Sequence, residues 1–542
     1  MNRNDNTLLI HEAPRRTRRE AGATQRADVP LESHTEVPAT DERCSAIDTI
    51  VGQDEGRLVP LVPIRHGRMA PNAFTFYRGA PAVMASDLSL VPSTDIRLQL
   101  CGDAHLSNYG AFLGPDRRLV FDLNDFDETL PGPFEWDVKR LAASVTIACR
   151  HNGFDEADGA RATRAAVRGY RKQMADAEQR GPLELQYHRL EVDQLINQLG
   201  DRRSRKVASG NSARAVEKNS LKAMAKLTHI VDGRRQIVDD PPLVRRLEDA
   251  LLPDQLVELD TFFRRYVDTL PTHRRHVLRH YAVVDVAHKI VGVGSVGTRC
   301  LIILLESGDG EPLFLQFKEA RASVLEPFCG ASEYEFAGER VVEGQRMMQT
   351  MGDIFLGWSH FDGDIVRGSN HHYFRQLWDG KGSVDTSSAT PDLMKAYARS
   401  CGDALALAHA RCGDASVICG YLGDDSTFDE ALTEFARRYA DVNEADFTTH
   451  ASAIADGTIE ARFDLGPLSG GTSWSHHQRM RWPQCTGSDV ARGCGRAPAR
   501  RELRTRPSPA CRTSCKSSVY TDPQGYQLSE PPTTSATCRR CR

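Results

Sequence analysis

The sequence lacks any uninterrupted apolar run of the roughly 18 to 20 residues that a membrane-spanning helix needs. Its first residues, MNRNDNTLLIHEAPRRTRRE, also lack the apolar core of a signal peptide. A large excess of one charge is missing as well, since the 542 residues carry a formal net charge of −4. We therefore expect a cytoplasmic protein with neither a membrane nor a specific nucleic acid as its partner.

Closely spaced cysteines are absent from most of the chain. Eight of the 14 cysteines stand singly before residue 465, and the other six lie in the last 58 residues. This spacing excludes a disulfide framework for the body of the protein and indicates reduced cysteines in its core. Hydrophobic residues make up 40% of the chain and charged residues 26%, which excludes wholesale disorder, collagen-like repeats and a long coiled coil.

The composition changes twice along the chain. Residues 1–58 are rich in Arg, Glu, Thr, Asp and Ala without a sustained apolar period, so they are predicted to form a disordered leader. Residues 59–465 alternate short β-branched runs with long segments whose apolar residues recur at three and four, which predicts a mixed α and β body. Gly, Ser, Pro, Arg and Cys dominate residues 466–542, which we interpret as a basic disordered tail or an altered reading frame.

The densest polar cluster lies in CGDAHLSNYG and the following RRLVFDLNDFDE. One apolar run ends at Asp103, and His105 and Asn108 follow it in a tight loop. A second strand then delivers Asp122, Asn124, Asp125 and Asp127. Carboxylate and amide oxygens that converge at strand ends are the ligands that Mg²⁺ prefers, although Asp and Asn also close turns and cap helices.

A second motif is the G-x-G-x-x-G pattern of Gly292, Gly294 and Gly297. Alone it is weak evidence, because dinucleotide-binding folds and protein kinases both use it. A dinucleotide-binding loop must open a helix, yet the following TRCLIILLES is typical of a strand. Strand, glycine turn and strand together predict either a hairpin that covers nucleotide phosphates or a plain glycine-rich hairpin.

The next strand, PLFLQFKEA, carries Lys318 among apolar neighbours. A lysine in a buried strand needs an anionic partner, whereas a lysine on the surface would not. The following helical segment supplies Glu339 and Glu343, which lie four residues apart on one face. Either glutamate could be the anionic partner of Lys318. The later strand HHYFRQLWDGKGS would suit the side of an adenine, with the candidates Tyr373, Arg375, Gln376, Asp379 and Lys381.

The pattern G-D-x-H-x-x-N at residues 102–108 resembles the catalytic loop of aminoglycoside and choline kinase-like phosphotransferases. The resemblance implies that Asp103 is the base for a substrate hydroxyl, with His105 shaping its loop. It also implies that Asn108 holds a metal together with Asp122 or Asp125, a choice that stays open. The implied nucleotide-binding set is Gly292, Gly294, Ser295, Gly297, Lys318 and Glu343.

The order of these motifs is inverted relative to kinases, because the catalytic-loop-like segment precedes the glycine loop. A circularly permuted, two-lobed α+β fold of protein-kinase-like type would account for both clusters. Its small nucleotide-binding lobe would span 283–382, and its large lobe would combine 59–282 with 383–465. The strings FYRGA, CGDAHLSNYG, FDLNDFDETLPGPFEWDVKRLAAS, VGVGSVGTRC, LFLQFKEA and FRQLWDGKGS resemble the bacterial family known as domain of unknown function 2252.

These motifs lead us to expect a phosphotransferase that uses ATP and Mg²⁺ and acts on a hydroxyl acceptor of unknown identity. Transfer of AMP on the same fold is one alternative. A metal-dependent phosphohydrolase built on Asp103, His105, Asp122 and Asp125 is another, and a non-catalytic kinase-like scaffold is the third. Arg78, Lys139 and Arg140 could contact the acceptor or a phosphate, or serve the fold alone.

Overall fold

The computed structural model describes residues 13–463 except 201, 218–219, 242, 248–252, 291, 362–369, 378–379 and 383. The predicted tail over 466–542 lies outside the described residues. So does Asp379, one of the residues predicted to lie beside an adenine. Helices and strands are mixed along the described chain. None of the helices described combines the length and the apolar character that crossing a membrane would require.

The helices before residue 230 lie on either side of the first strands in the chain. The earlier ones are α1 (Arg15–Thr24), α2 (Ala46–Gly52), α3 (Val62–Met69), α4 (Ala73–Gly79) and α5 (Pro81–Leu88). The later ones are α6 (Phe134–His151), α7 (Glu156–Glu178), α8 (Pro182–Tyr187), α9 (Val192–Gln198), α10 (Arg202–Val216) and α11 (Ser220–Leu227). Pro81 at the start of α5 and a capping box between Asn72 and Thr75 at α4 are local sequence signals for these helix starts.

The remaining helices lie after residue 252 in the chain. They are α12 (Pro253–Thr269), α13 (Thr272–Leu278), α14 (Glu326–Cys329), α15 (Ala337–Met348), α16 (Pro391–Cys412), α17 (Ala415–Leu422) and α18 (Thr427–Ala455). Short 3₁₀ turns cover Gln25–Ala27, Leu31–Thr35, Val59–Leu61 and Leu106–Asn108. Thr390 caps α16 by accepting a hydrogen bond from the Leu393 amide, and Pro391 occupies the first helical position.

The strands form four sheets. The early strands are β1 (Arg97–Leu100), β2 (Tyr109–Leu113), β3 (Leu119–Leu123), β4 (Leu130–Pro133) and β5 (Leu190–Glu191). The later ones are β6 (Thr228–Val231), β7 (Arg234–Ile237), β8 (Val244–Arg246), β9 (Tyr281–Lys289), β10 (Cys300–Ser307), β11 (Pro312–Glu319), β12 (Gly357–His360) and β13 (His371–Gln376). β1 pairs with β4, β6 pairs with β7, and β2, β3 and β5 form a third sheet in that order.

The largest sheet has six antiparallel strands in the order β12, β13, β11, β10, β9 and β8. Alternate residues of its central strand β10 enter two different cores, as the period of two in a strand requires. Ile303 and Leu305 pack towards α12, where Tyr266 stacks on Phe374 with ring centroids 3.9 Å apart. Ile302 and Leu304 pack on the opposite face. The sheet is therefore covered on both sides.

The region around this sheet begins earlier than the predicted small lobe over 283–382. Val244 in β8 and Ile237 in β7 belong to one of the two cores, and Phe262 in α12 belongs to the other. These residues carry apolar side chains that only the sheet buries, and sequence periodicity does not reveal that partner.

The predicted disordered leader over 1–58 is contradicted from residue 15 onward, where the chain forms α1 and α2 and two 3₁₀ turns. Its arginines find carboxylate partners far away in the sequence. Arg18 contacts Asp414 at 2.8 Å, Arg19 contacts Glu178 at 2.7 Å, and Arg43 lies between Asp87 and Asp446. The composition of this segment suggested disorder because it is rich in charged residues. Composition alone does not reveal that distant, partly buried carboxylates neutralise the arginines.

Helix α1 packs against α17 through two glycines. A Cβ atom on Gly22 would lie 1.9 Å from the carbonyl oxygen of Val417, and one on Gly420 would lie 2.0 Å from that of Arg19. Both contacts involve backbone atoms, which cannot turn away as a flexible side chain does. The two helices can therefore approach this closely only with glycine at both positions.

We predict that Gly420→Ala lowers the free energy of unfolding by about 1–3 kcal/mol, because the added methyl group forces α1 and α17 apart. Urea denaturation of the full chain measures this change. Gly210→Ala in α10 is the matched control, since a Cβ there meets nothing within 4 Å. That control should leave stability unchanged or raise it by about 0.5–1 kcal/mol. Equal midpoints for Gly420→Ala and the wild type would contradict the packing of α1 described here.

Candidate functional site

A buried carboxylate on α6 fixes the loop between β1 and β2 through hydrogen bonds to its backbone. Asp137 accepts hydrogen bonds from the amides of Cys101 at 2.7 Å and Gly102 at 3.0 Å, and its Oδ2 lies 3.2 Å from Nε2 of His409. Gly102 has φ +82°, and a Cβ there would lie 2.2 Å from the Glu128 carbonyl oxygen. The turn before Asp103 therefore requires glycine.

Asn108 joins this loop to the segment that follows β3. Its Nδ2 donates to the carbonyl oxygens of Asp103 at 3.0 Å and Asp125 at 2.9 Å. Its Oδ1 accepts a hydrogen bond from the Asp125 amide at 2.8 Å. The side chain predicted to hold a metal thus uses its amide to set the distance between the two loops that carry the carboxylates.

Asp103 is held by a buried arginine from α6. Arg140 contacts Oδ1 of Asp103 through Nε at 2.9 Å and through Nη2 at 2.8 Å, and its guanidinium stacks 3.8 Å from the centre of the Tyr77 ring. The other carboxylate oxygen, Oδ2, lies 3.7 Å from Nε2 of His105. Burial lowers the pKa of His105 to about 4, so the imidazole is neutral near pH 7.

Lys318 on β11 reaches across to an acidic pair in the loop after β3. Its Nζ lies 2.6 Å from Oδ2 of Asp127 and 3.3 Å from Oδ1 of Asp125. Tyr373 on the adjacent strand β13 donates to Oδ1 of Asp127 at 2.6 Å, and Ser295 donates to its Oδ2 at 3.3 Å. The predicted need of Lys318 for an anionic partner is confirmed.

The charges of this cluster support one another. Burial alone would raise the pKa of Asp125, but the charges of Lys318, Arg375 and Lys381 outweigh it and hold that pKa well below its usual range. Burial would likewise lower the pKa of Lys318, and the carboxylates of Asp125 and Asp127 raise it instead. Lys318 and Asp125 are therefore both charged near neutral pH.

The glycine turn lies between β9 and β10, so the predicted arrangement of strand, glycine turn and strand is confirmed. Gly292 and Gly297 have φ values of +70° and +89°, which favour glycine. Arg57 donates to the carbonyl oxygens of Gly294 at 2.8 Å and Val296 at 2.6 Å, and Arg68 donates to that of Gly292. The turn is thus bound to the segment around α3.

These parts enclose a cavity of about 690 Å³. Its lining includes seven of the predicted site residues, namely Asp103, His105, Asn108, Asp125, Gly292, Gly294 and Ser295. Lys318 stands just behind this lining, 1% exposed, and reaches it through Asp125 and Asp127. The two sequence motifs, which are almost 170 residues apart at Asp125 and Gly292, face one cavity.

The structure separates the other predicted residues from this cavity. Glu343 on α15 pairs with Arg346 at 2.6 Å on a partly exposed face, so the expected pairing with Lys318 is wrong. Asp122 is 2% exposed and contacts Arg411 at 3.5 Å. Of Asp122 and Asp125, the two alternatives for the metal-binding carboxylate, Asp125 is therefore the one that lines the cavity. Gly297 binds the amide of Leu58 through its carbonyl oxygen and does not line the cavity.

Sequence reasoning missed Asp127 as the closest partner of Lys318 and Asp137 as the anchor of the loop. Asp127 lies two residues after Asp125 in the DFD triplet, a spacing that puts two carboxylates within reach of one cation. In place of Glu343, α15 contributes Arg340, whose Nη2 donates to the carbonyl oxygen of Asp127 at 2.8 Å. Over the part of the chain that the structure describes, no three Asp, Glu, His or Cys side chains are grouped so that they could hold a metal ion.

Comparison with known families gives a match over most of the chain. The model of the family described as "Uncharacterized protein conserved in bacteria (DUF2252)" matches residues 57–453, which is well over half of the chain. The chain belongs to this family. The match includes both loops and the sheet that enclose the cavity, and of the lining residues only Thr49, Gly52 and Gln53 lie outside the matched region. No curated protein and no solved structure matches the chain.

Lys381, which lines the cavity, provides a test of the charge distribution. The charge of Arg375, followed by burial, lowers the pKa of Lys381 from 10.5 to about 7. The folded chain then binds fewer protons than the unfolded chain between these two values. The contribution of Lys381 to the free energy of unfolding therefore rises with pH across that window.

We predict that the stability difference between the wild type and Lys381→Met changes in favour of the wild type by up to about 1 kcal/mol per pH unit from pH 7 to pH 9. Urea denaturation at pH 7, 8 and 9 measures it. Lys395→Met, which changes an exposed lysine of α16, is the control and should show a constant difference. A difference for Lys381→Met that does not vary with pH would contradict the assigned charge environment.

Proposed function

We propose that this protein is a kinase-like transferase that binds a nucleoside triphosphate in the cavity and transfers its terminal phosphoryl group to a hydroxyl acceptor. The observation that carries the proposal is the meeting of two motifs at one cavity. A glycine turn with a buried lysine on the following strand faces a loop with Asp103, Asn108 and Asp125. Phosphoryl transfer needs positioning and neutralisation of charge more than covalent chemistry by the protein.

Each side chain has a role that follows from its contacts. Lys318 is oriented by Asp127 and supplies the positive charge behind the glycine turn. Asp103 keeps Oδ1 bound to Arg140, which leaves Oδ2 as the oxygen for the proton of the acceptor hydroxyl. His105, which is neutral, lies beside that oxygen and can donate or accept a hydrogen bond there.

The donor set of the cavity fits Mg²⁺, which binds proteins through one or two carboxylates and completes its ligands with water and substrate phosphates. Asp125 and Asp127 would hold the ion, because both line the cavity and their side chains are 42% and 28% exposed. When bound, the ion would neutralise charge on the phosphate groups. Asn108 would keep the two loops at the required spacing.

The alternatives differ in how the geometry supports them. A metal-dependent hydrolase built on Asp103, His105, Asp122 and Asp125 is not favoured, because Asp122 is buried against Arg411 and away from the cavity. Transfer of AMP would use the same cavity with the nucleotide reversed. A non-catalytic scaffold would bind a nucleotide without turnover.

We predict that ATP with Mg²⁺ stabilises the full chain by about 2.7 kcal/mol at a concentration of 100 Kd, and that Lys318→Met abolishes this stabilisation. The substitution leaves Asp125 and Asp127 without their cation, so the stability of the ligand-free variant should also fall. The measured quantity is therefore the shift in Tm caused by ATP, and it is compared within each variant. Lys172→Met on the exposed face of α7 is the control and should keep the full shift.

An unchanged ATP-induced shift in Lys318→Met would contradict the placement of the phosphates beside Lys318. The absence of any shift in a well-folded wild-type sample would overturn the proposed use of a nucleotide. A shift without turnover in any transfer assay would support the scaffold instead.

We predict that Asp103→Asn retains ATP binding but loses transfer by at least about 100-fold, because an amide cannot accept the proton of the hydroxyl. Incubation of the protein with γ-labelled and α-labelled ATP, together with a bacterial metabolite extract, measures transfer. Label from the γ position alone supports phosphoryl transfer, and label from the α position supports AMP transfer. Wild-type turnover by Asp103→Asn would remove Asp103 from the role of base.

A further inference from the structure

One side of the cavity carries three arginines that form no ion pair with any carboxylate that the structure describes. Arg57 donates to the carbonyl oxygens of Gly294 and Val296, and Arg321 donates to those of Gln53 and Glu55. Arg78 makes no hydrogen bond to any residue that the structure describes, and its Nε is buried without a partner. None of the three forms an ion pair within the described chain, although all three line the cavity.

The carboxylates of the cavity do not balance these charges. Four of the five are already paired with other cations: Asp103 with Arg140, Asp125 and Asp127 with Lys318, and Glu319 with Arg299. The fifth, Glu128, accepts a hydrogen bond from the Val324 amide at 2.8 Å. The cavity is therefore left with positive charge that an anion from outside can neutralise.

Arg78 is the arginine of this set that has a structural link to Asp103 through Arg140. It lies near the end of α4, directly after Tyr77, whose carbonyl oxygen accepts a hydrogen bond from Arg140. The negative charge of Asp103 acts on Arg78, and the positive charge of Arg78 acts in turn on His105. A half-buried guanidinium without a hydrogen-bonding partner costs stability, and such a cost is common where a ligand completes the site.

We propose that Arg78 binds an anionic group of the acceptor, a phosphate or a carboxylate, beside Asp103. The inference rests on the proposed function, because it takes Asp103 as the group next to which the acceptor hydroxyl binds. Arginine suits this task, since its planar fork of N–H donors matches the oxygens of a carboxylate or phosphate in pairs. The acceptor would thus be a hydroxyl compound with a negative charge close to the hydroxyl.

The phosphates of a nucleotide are a second possible source of the anion, and position separates the two sources. Lys318 contacts Asp125 and Asp127, whereas Arg78 follows Tyr77, whose carbonyl oxygen binds Arg140, the partner of Asp103. An anion bound at Arg78 should therefore depend on Arg78 and not on Lys318. An anion bound in the place of the nucleotide phosphates should depend on Lys318.

The test titrates inorganic phosphate, and separately ATP with Mg²⁺, into the full-length protein by calorimetry. The variants are Arg78→Gln, Lys318→Met and the control Arg164→Gln, which changes an exposed arginine of α7. We expect Arg78→Gln to weaken phosphate binding at least tenfold and to leave ATP binding within about threefold of the wild type. Lys318→Met and Arg164→Gln should keep phosphate binding.

Phosphate affinity that is unchanged in Arg78→Gln, or that is lost in Lys318→Met alone, would overturn the inference, and so would a wild type that does not bind phosphate. If Arg78→Gln does not fold, Arg78→Lys keeps the charge without the fork and should bind phosphate with intermediate affinity. Phosphate binding that depends on Arg78 in a protein that fails to bind ATP would support the anion site while it overturns the proposed function.

Discussion

The buried ammonium group of Lys318 is the constraint on which the site depends. A lysine with 1% exposure in the middle of a sheet is tolerated only if anions compensate the loss of hydration. The sheet itself does not supply them. They come from Asp125 and Asp127, which lie in a different part of the chain, so the sheet and the acidic loop must meet for either to be stable.

This requirement explains why so many polar contacts converge near the same point. Tyr373 and Ser295 hold the carboxylate of Asp127 from the sheet side and from the glycine turn. Asn108 holds the backbone of Asp125 from the loop that carries Asp103. The position of one ion pair therefore fixes the distance between the glycine turn and the Asp103 loop, and with it the width of the cavity. Removing one partner of such a pair leaves an uncompensated charge, which is far more damaging than removing both.

The rest of the cavity carries a surplus of positive charge. The carboxylates near the ion pair are bound to cations of the protein, whereas Arg57, Arg78 and Arg321 contact only carbonyl oxygens or nothing among the described residues. An electrostatic field of this kind attracts anions and concentrates them near Asp103. Both proposed substrates, a nucleoside triphosphate and an anionic acceptor, would be drawn to the same cavity.

Local sequence patterns predicted part of this site correctly. The change from β-branched residues to glycines and back predicted the turn between β9 and β10, and a lysine within an apolar strand predicted a buried ion pair. The identity of its partner required tertiary structure, because Glu343 fits the helical spacing equally well but faces Arg346. The same limit applies to Asp122 and Asp125, which are three residues apart and differ in whether they face Arg411 or the cavity. The helices in residues 15–52 were not predicted, because the carboxylates that neutralise the arginines of this segment lie elsewhere in the chain.

The kinase-like arrangement is the central claim, and a crystal structure of the full chain with Mg²⁺ and a non-hydrolysable ATP analogue tests it most directly. The account predicts phosphate groups between the turn at Gly292–Gly294 and Lys318, with the ion on Asp125 and Asp127 and with Asp103 facing the terminal phosphate. A nucleotide bound outside this cavity, or phosphate groups turned away from Lys318, would contradict the account.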